Sequence, residues 1–453
     1  MSSNWLKLTL GELCAQQGGA IQTGPFGSQL HNSDYKVEGT PVVMPTNIIG
    51  SRVVEDGIAR IDKADVDRLS QHKLRIGDLV FSRRGDVTKN ALVRAREVGW
   101  LCGTGGLKVR LGDESLASAE FVSYYLQLPA IKEWLIQHAV GATMPNLNTG
   151  ILSGVPLILA PADTQIKIVR LLAALDSSIL TLQQQNTSLE AIVQTLFRSW
   201  FVNFDPVHAK AAGKEPEVLS TGLAQLFPSE LEESELGSIP RAWSITSFGD
   251  AFDIKGGGTP NTKESSYWNN GTHWWATPKD LSNLTSSVIY QTAFKLTAAG
   301  VKKISSKILP LGTTLMSSRA PVGYLAIAKA PISINQGFIA IPPTEGLSPS
   351  FIVNLLLQKM PEIKANAGGT TFAEISKSQF RPIKWVRPSK EVLDAFGRIA
   401  EPIYATVHAN CLTIDALSSL RDHLLPRLIS GKLRIEDAEA SVAAMTLELE
   451  AAG

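Results

Sequence analysis

Two sets of small polar and basic residues occupy corresponding segments of the chain, and their side chains suit contact with nucleic acid. Arginine, lysine and asparagine donate hydrogen bonds to phosphate oxygens and to base edges, and serine and threonine hydroxyls also bind phosphates. The candidates in the first half are Ser28, Asn47, Arg83, Arg84, Thr143 and Asn146, and those in the second half are Thr259, Lys279, Arg319 and Thr370.

The three arginines follow strand-like runs at matching points of the two halves. Arg83 and Arg84 come after Leu79-Val80-Phe81, and Arg319 comes after a similar apolar run. An arginine at a strand end is placed to enter a DNA groove, and it is equally placed to form an internal ion pair. The sequence leaves both interpretations open.

The segment 265–281 combines four aromatic side chains with asparagine, threonine and Lys279, and its counterpart in the first half is 34–48. Aromatic rings in a polar loop can stack on bases or wedge between them. The alternative is that the tryptophans anchor the core and that only Lys279 is exposed.

These segments correspond because the chain repeats itself. Three pairs of similar segments begin at Trp5 and Trp243, at Ile76 and Leu311, and at Gly141 and Gly368, at offsets of 238, 235 and 227 residues. Pro161 and Pro388 repeat the last offset. The drift is what loop insertions and deletions produce, so the sequence predicts one unit that was duplicated and then diverged.

Each repeat begins with a mixed segment and ends in a helical one. β-like runs such as 155–159 and 332–334 alternate with turn residues, and helical stretches follow at 121–138 and 351–367. From 163 to 204, and again from 393 to 428, apolar residues recur at steps of four and three, which predicts two long helices with a coiled-coil seam.

The second helix contains Pro402 and Pro426, which are expected to kink or shorten it, and Gly431 is the predicted stop. The predicted seam contains Leu175, Ile179, Leu182, Asn186, Leu189, Val193 and Leu196 in the first helix, and Val407, Asn410, Ile414 and Leu417 in the second. Each seam asparagine is either buried, where it fixes the register at a cost in stability, or solvated beside the seam.

The predicted fold is α+β, with two globular domains separated by two long antiparallel, coiled-coil-like helices in a tandem repeat with pseudo-two-fold symmetry. The expected boundaries are 1–160 for the first domain, 161–206 for the first helix, 207–242 for a connector, 243–388 for the second domain, 389–435 for the second helix and 436–453 for a C-terminal tail.

Charge is distributed unevenly along a chain whose net charge is +1. The second domain has 15 basic and 7 acidic residues, whereas the first has 16 and 15. The excess suits a phosphate-facing surface, although scattered, solvated lysines are the alternative. There is no long apolar run, no signal-like N-terminus and no paired spacing among the three cysteines, so we expect a reduced, cytoplasmic protein without a membrane partner.

Motifs for independent catalysis are missing from the sequence. It contains no GxxxxGK[ST] loop, no adenine-methyltransferase signature and no metal-ligand spacing, and the glycine-rich segment 256–259 is not followed by a phosphate-binding helix. We therefore expect no catalytic residues, no metal and no cofactor in this chain.

In order and over the whole length, these features resemble the DNA-specificity subunits of Type I restriction–modification enzymes. Phrases typical of that family are WxxxxLGEL from Trp5, WATPKDL from Trp275, FRSWFV from Phe197 and LLPRLISGK from Leu424. The resemblance implies that each globular domain is a target-recognition domain, which recognises one half of a split, asymmetric sequence in double-stranded DNA.

The resemblance also implies partners. The helices would set the distance between the half-sites and dock two modification (methyltransferase) subunits, which carry S-adenosylmethionine. Restriction/translocase subunits would add ATP- and Mg-dependent cleavage in phage defence. Two other interpretations stay open: a non-catalytic coiled-coil scaffold with two protein-binding globular domains, and an enzyme with an unrecognised site.

Overall fold

The computed structural model describes residues 5–141, 143–214, 219–369 and 373–452, without the side chains of 448–452. The chain divides into two compact units. The first unit comprises residues 1–178 and 416–453, and the second comprises 179–415. Among the described residues, no helix is both long and apolar enough to cross a membrane.

In the first half the strands are β1 (Leu6–Thr9), β2 (Gly18–Thr23), β3 (Tyr35–Lys36), β4 (Thr40–Val43), β5 (Ile48–Ile49), β6 (Arg52–Val53), β7 (Ala59–Ile61), β8 (Leu79–Ser82), β9 (Asn90–Leu92), β10 (Leu101–Cys102), β11 (Gly106–Gly112) and β12 (Pro156–Leu159). The helices are α1 (Leu10–Gln16), α2 (Lys63–Arg68), α3 (Ala119–Tyr125), α4 (Pro129–His138), α5 (Thr149–Ser153) and α6 (Ala162–Phe201).

In the second half the strands are β13 (Leu231–Ser234), β14 (Gly237–Pro240), β15 (Ser244–Ser247), β16 (His273–Ala276), β17 (Val288–Ile289), β18 (Phe294–Leu296), β19 (Thr314–Ser317), β20 (Leu325–Ala328), β21 (Ile332–Ile334), β22 (Phe338–Ile341) and β23 (Lys384–Arg387). The helices are α7 (Asp205–Ala211), α8 (Thr221–Gln225), α9 (Phe248–Ala251), α10 (Pro278–Ser282), α11 (Ala298–Lys302), α12 (Pro349–Ala365), α13 (Lys377–Phe380), α14 (Lys390–Ile429) and α15 (Ile435–Ala452).

The domain of the first unit is built on three sheets and a short two-stranded β5-β6 pair. A four-stranded antiparallel sheet has the order β2-β11-β8-β9, and a mixed sheet has the order β10-β4-β7-β3. β1 and β12 form a separate two-stranded ribbon that closes the domain immediately before α6. The run Leu79-Val80-Phe81 in β8 is buried on both faces, which is why it is continuously apolar instead of alternating.

The domain of the second unit repeats this plan. Its larger sheet has the order β22-β19-β20-β17, its mixed sheet has the order β18-β16-β21, and β15 pairs with β23 as the closing ribbon. β16 lies parallel to β21 and antiparallel to β18, as β4 does to β10 and β7. The predicted α+β tandem repeat is confirmed.

The hydrogen-bond ladders fix the alignment of the two repeats and correct the last predicted offset by one residue. Val140 and Asn146 exchange two backbone hydrogen bonds, and so do Gly368 and Glu374, which gives an offset of 228. Gly141 therefore corresponds to Gly369, and both have positive φ angles of 113° and 116°. Pro161 likewise corresponds to Ser389 and not to Pro388. The two adjacent glycines at 368 and 369 made the sequence match ambiguous.

Both long helices have 40 residues, and α14 is longer at its start than its prolines suggested. The expectation that Pro402 shortens α14 is wrong, because the helix is continuous from Lys390 to Ile429. Pro402 is exposed, and so is Arg398, whose carbonyl loses its helical donor because proline has no N–H. Gly431, at φ 69°, ends the helix as predicted: its N–H bonds to Leu428 O, in a Schellman motif.

The predicted seam positions are all buried or half-buried. Within the second unit the helices run antiparallel, since Asn186 meets Asn410 and Phe197 meets Phe396. Asn186 is 1% exposed, and its Oδ1 accepts a hydrogen bond of 2.9 Å from Asn410 Nδ2. The asparagines are therefore partners within the seam, and not solvated beside it. Within the first unit, Asp176 and Arg421 form an ion pair of 2.8 Å between the same two helices.

The Asn186–Asn410 pair predicts that the two substitutions are coupled in a double-mutant cycle, with the double variant more stable than the sum of the single losses would give. The variant Asn186→Leu is expected to lower the free energy of unfolding by about 1–3 kcal/mol, because it leaves the half-buried Asn410 carboxamide without its acceptor. Asn186→Leu with Asn410→Leu is expected to recover most of that loss, since no unpaired polar group remains. Guanidinium unfolding of the two single variants and the double variant measures the coupling; additive losses would contradict a specific pair.

Three segments differ in structure from what the sequence indicated. The connector 207–242 is not merely a link: Val207 and Phe227 are buried in the core of the second unit, and β13 pairs with β14. The C-terminal tail is helical from Ile435. The single helix predicted at 121–138 is two helices, because Pro129 starts a new one after Leu128.

Candidate nucleic-acid interface

The candidate arginines lie in the loop after an inner strand of each larger sheet, β8 or β19, which we call its central strand. β8 ends at Ser82 and β19 ends at Ser317, and both serine side chains are buried beneath the loop. Ser82 Oγ donates to Arg84 O over 2.8 Å, and Ser317 Oγ donates to Pro321 O over 2.7 Å. These hydrogen bonds from the buried serines stabilise the conformation of the loops.

In the first repeat a second loop lies against these arginines. Leu147 N donates to Arg83 O over 2.8 Å, and Asn146 forms an antiparallel bridge with Arg84. Residues opposed in such a bridge have side chains on the same face. Arg84 is exposed, and among the described residues neither its guanidinium nor the Asn146 carboxamide has a hydrogen-bond or ion-pair partner.

The second repeat has the same geometry with different chemistry. Ile375 N donates to Ser318 O over 3.0 Å, and Glu374 forms the bridge with Arg319. Arg319 Nη1 lies 3.8 Å from Glu374 Oε1, and both side chains are more than a third exposed. The structure therefore brings Arg84 together with Asn146, and Arg319 together with Glu374, at corresponding positions.

A further element of each repeat is the turn that follows β4 in the first repeat and β16 in the second. Asn47 Oδ1 accepts from Met44 N over 3.1 Å, and Asp280 Oδ2 accepts from Thr277 N over 2.8 Å. Asn47 is only 4% exposed, so it is a capping residue and not the surface contact that the sequence suggested. The exposed residue of this turn is Lys279 in the second repeat and Thr46 in the first.

Two basic candidates of the second repeat share one concavity. A solvent-open depression of about 440 Å³ is lined by Thr277, Pro278, Lys279, Ser282, Arg319, Ala320, Tyr324, Asn335 and Gly337. Gly337 is needed there, because a Cβ would stand 2.9 Å from Pro278 Cγ. The two cations come from segments 40 residues apart, a proximity that only the fold creates.

The remaining described candidates lie on the surface of the protein. Ser28 and Thr143 are exposed. Thr259 is also exposed, and its hydroxyl donates to Gln336 Oε1 over 2.6 Å. Thr370 lies outside the described residues.

Sequence reasoning missed Phe26. Its ring is 54% exposed, and the guanidinium carbon of Arg83 lies 5.9 Å from its centroid. Arg83 is half-buried, and its Nε has no hydrogen-bond partner among the described residues. The exposed phenylalanine after Gly24-Pro25 was the available signal, but the distance along the chain from Arg83 hid the contact.

The tryptophans of 265–281 are mainly structural. Trp275 is 6% exposed, and its Nε1 donates to Gly258 O over 3.1 Å. Trp268 packs edge-on against it, with centroids 5.0 Å apart. Lys295 Nζ lies 3.8 Å from the centroid of the Trp274 ring. The structure supports the interpretation in which the tryptophans anchor the segment and Lys279 is exposed.

The first domain turns some of its basic residues inward. Lys108 is 3% exposed, and its Nζ donates to Gln71 O over 2.8 Å; burial lowers the pKa of its ammonium group. Arg110 forms a 2.6 Å ion pair with the buried Asp78. The surface of the first domain therefore has a smaller share of its cations than its composition suggests.

Two kinds of reactive group can be assessed directly in the described part of the chain, which are metal-binding clusters and free thiols. No cluster of three or more His, Cys, Asp or Glu side chains there is placed to hold a metal ion. All three cysteines are free and buried. Burial raises the pKa of Cys14 to about 11 and that of Cys102 to about 12, and it also raises the pKa of Cys411, so the thiols stay protonated.

One loop arrangement therefore occurs twice in the chain, with corresponding backbone bridges and different side chains. A family model for the Type I restriction modification DNA specificity domain matches residues 2–191 and 240–392. The chain belongs to this family of specificity subunits, which recognise DNA sequence and are not catalytic.

Individual relatives agree with this assignment. The Type I restriction enzyme HindI specificity subunit of Haemophilus influenzae is 28% identical over 342 residues, which are 66% of this chain and 73% of that protein. The MjaIX specificity subunit of Methanocaldococcus jannaschii is 39% identical over 167 residues, 36% of this chain and 38% of the relative. The fold is similar to the crystal structure of a Type I S subunit from M. genitalium, with a TM-score of 0.52, 17% identity and coverage of 94% and 96%.

Proposed function

We propose that this chain recognises an asymmetric, bipartite sequence in double-stranded DNA, with one repeat on each half-site. The observation that carries the proposal is the pair of corresponding loop clusters. Both have an arginine after the central strand, at Arg84 and Arg319, but the residue opposite it is Asn146 in one and Glu374 in the other. Equal scaffolds with unequal side chains suit two different sequences.

The same comparison separates the residues proposed to contact phosphates from those proposed to contact bases. A residue that is the same in both repeats is expected to contact the sugar–phosphate backbone, because both half-sites have that backbone in common. Residues that differ between the repeats are expected to contact the bases, because the base sequence differs between the half-sites. Arg84 and Arg319 are therefore assigned to phosphates, and the residues around them to base edges.

The proposal includes docking of two modification (methyltransferase) subunits on the repeated elements, above all α6 and α14. Two copies of the same partner subunit need two equivalent binding surfaces. The long helices and the closing ribbons provide them, because each occurs once in each repeat. S-adenosylmethionine would bind to those subunits, and ATP and Mg would serve restriction subunits attached through them.

The test is methylation mapping. The chain, expressed with its modification partner in a host that lacks the system, is expected to direct adenine methylation to one gapped sequence. Replacing residues 1–160 by the corresponding domain of another specificity subunit is expected to change one half of that sequence and to leave the other unchanged. The chain without the partner is the control.

Two outcomes would count against the proposal. If no new bipartite methylated sequence appears while the partner is bound, the chain is a protein-binding scaffold and not a sequence reader. If the domain exchange changes both halves, the repeats do not act as separate recognition domains.

A further inference from the structure

We propose that the second repeat selects a G·C base pair through Lys279 and Glu374. The inference rests on the proposed function and adds the class of base pair that this cluster recognises. It concerns the two positions at which the cluster differs from its counterpart, where the first repeat has Thr46 and Asn146.

These positions form one surface in the second repeat. Lys279 and Arg319 line the same concavity, and Arg319 Nη1 lies 3.8 Å from the Glu374 carboxylate. Arg319 therefore stands beside both of them. Because Arg84 occupies the same place in the first repeat, the arginine belongs to the shared phosphate-binding frame, and the residues on either side of it are the ones that vary.

The two varying side chains match the two edges of a G·C pair in the major groove. An ammonium group only donates hydrogen bonds, and guanine presents two acceptors there, N7 and O6. A carboxylate only accepts, and cytosine presents one donor, its N4 amino group. An A·T pair offers no such division, since adenine presents a donor beside its acceptor and thymine presents an acceptor and a methyl group.

Glu374 has no structural reason to be acidic. Its ion pair with Arg319 is long and solvent-exposed, and such pairs contribute little to stability. A carboxylate on a phosphate-facing surface is repelled by the DNA, so it suits the site only where it accepts a hydrogen bond from a base. The neighbouring Arg319 guanidinium lowers the cost of bringing it there.

The first repeat shows the contrasting chemistry on the same backbone. Asn146 has a carboxamide, which both donates and accepts, as the adenine edge requires. Val140, which is hydrogen-bonded to Asn146, is 64% exposed, and Phe26 and Met144 of the same repeat are 54% and 60% exposed; apolar side chains contact the thymine methyl group. In the second repeat, Gly368 stands where Val140 stands in the first.

The test replaces the two varying side chains of the second repeat by those of the first. The double variant Lys279→Thr with Glu374→Asn gives the second repeat the side chains of the first, at positions whose backbone already accommodates them. In the complex with its modification partner, the unaltered chain is expected to prefer G·C at one position of the second half-site. The double variant is expected to lose about 10- to 100-fold of the discrimination at that position only.

Methylation mapping, and competition binding with each of the four base pairs at that position, measure this discrimination. Glu362→Gln with Lys359→Thr is the matched control, because changing this partly exposed pair removes the same two charges from helix α12 of the same domain. The control is expected to leave the sequence preference unchanged. Equal melting temperatures of the two double variants separate a change in recognition from a loss of folding.

The outcomes separate the inference from the proposed function. A bipartite sequence whose second half relaxes at one G·C position in the double variant supports both. A bipartite sequence that the double variant recognises unchanged, or a second half without a G·C pair, overturns the inference and leaves the proposed function in place. Absence of any bipartite sequence overturns both.

Discussion

Replacing Arg84 and Arg319 by alanine together is expected to weaken DNA binding by about 1–3 kcal/mol for each phosphate contact, or roughly 30- to 10⁴-fold in all if the effects add. Both guanidinium groups are on the surface, at the same loop of each repeat, and each is assigned to a phosphate. Because phosphate contacts carry no sequence information, the loss should be similar on specific and unrelated DNA.

The slope of binding against salt distinguishes this from a folding defect. Each lost phosphate contact is expected to reduce the slope of log affinity against log salt concentration by about 1, so the double variant should lose about 2. Fluorescence anisotropy of the complex with its modification partner measures it. Arg60→Ala, which removes an arginine paired with Glu55 elsewhere in the first domain, is the control. An unchanged slope would show that the arginines do not contact phosphates.

Replacing Trp200 by alanine is expected to lower the free energy of unfolding of the second unit by about 3–5 kcal/mol. Trp200 is 1% exposed, and its ring packs edge-on against Phe227 and Phe396 at centroid distances of 5.1 and 6.1 Å. It therefore joins α6 to the connector and to α14. Its removal leaves a cavity among large rings that cannot easily close.

Ile192→Ala on the same helix is the matched control for Trp200→Ala. Ile192 is 56% exposed, so its truncation should change stability by no more than about 0.5 kcal/mol. Guanidinium unfolding, followed by circular dichroism, compares the two variants with the unaltered chain. A transition that Trp200→Ala does not shift to lower guanidinium would contradict the packing described for this core.

The repeat and the long helices were predictable because their signals are periodic. An apolar period that extends through 40 residues stays recognisable when single positions depart from it, as the buried pair Asn186 and Asn410 does. The effect of Pro402 was not predictable, since the period does not say that this residue faces water. The connector was also underestimated: Phe227 is one aromatic residue in a polar segment, and its burial depends on Trp200, which is distant along the chain.

The candidate site was predictable in composition but not in geometry. The sequence indicated Arg84, Arg319 and Lys279 as basic residues at element ends, and they are on the surface there. It did not indicate that Lys279 and Arg319 share a concavity, or that Glu374 lies beside Arg319, because these contacts depend on how separate loops meet. Asn47 was misjudged because capping uses the same side chain as base contact.

The closing ribbons have a consequence for how such a protein can vary. β1 pairs with β12, and β15 pairs with β23, so each domain begins and ends on two adjacent strands. The offset between repeats falls from 238 at the first of these strands to 228 at the second, yet both ladders are intact. Ten residues were gained or lost between them without displacing the helix that follows. Insertions and deletions in the loops are thus contained within each domain, which leaves loop length free to evolve while the scaffold stays constant.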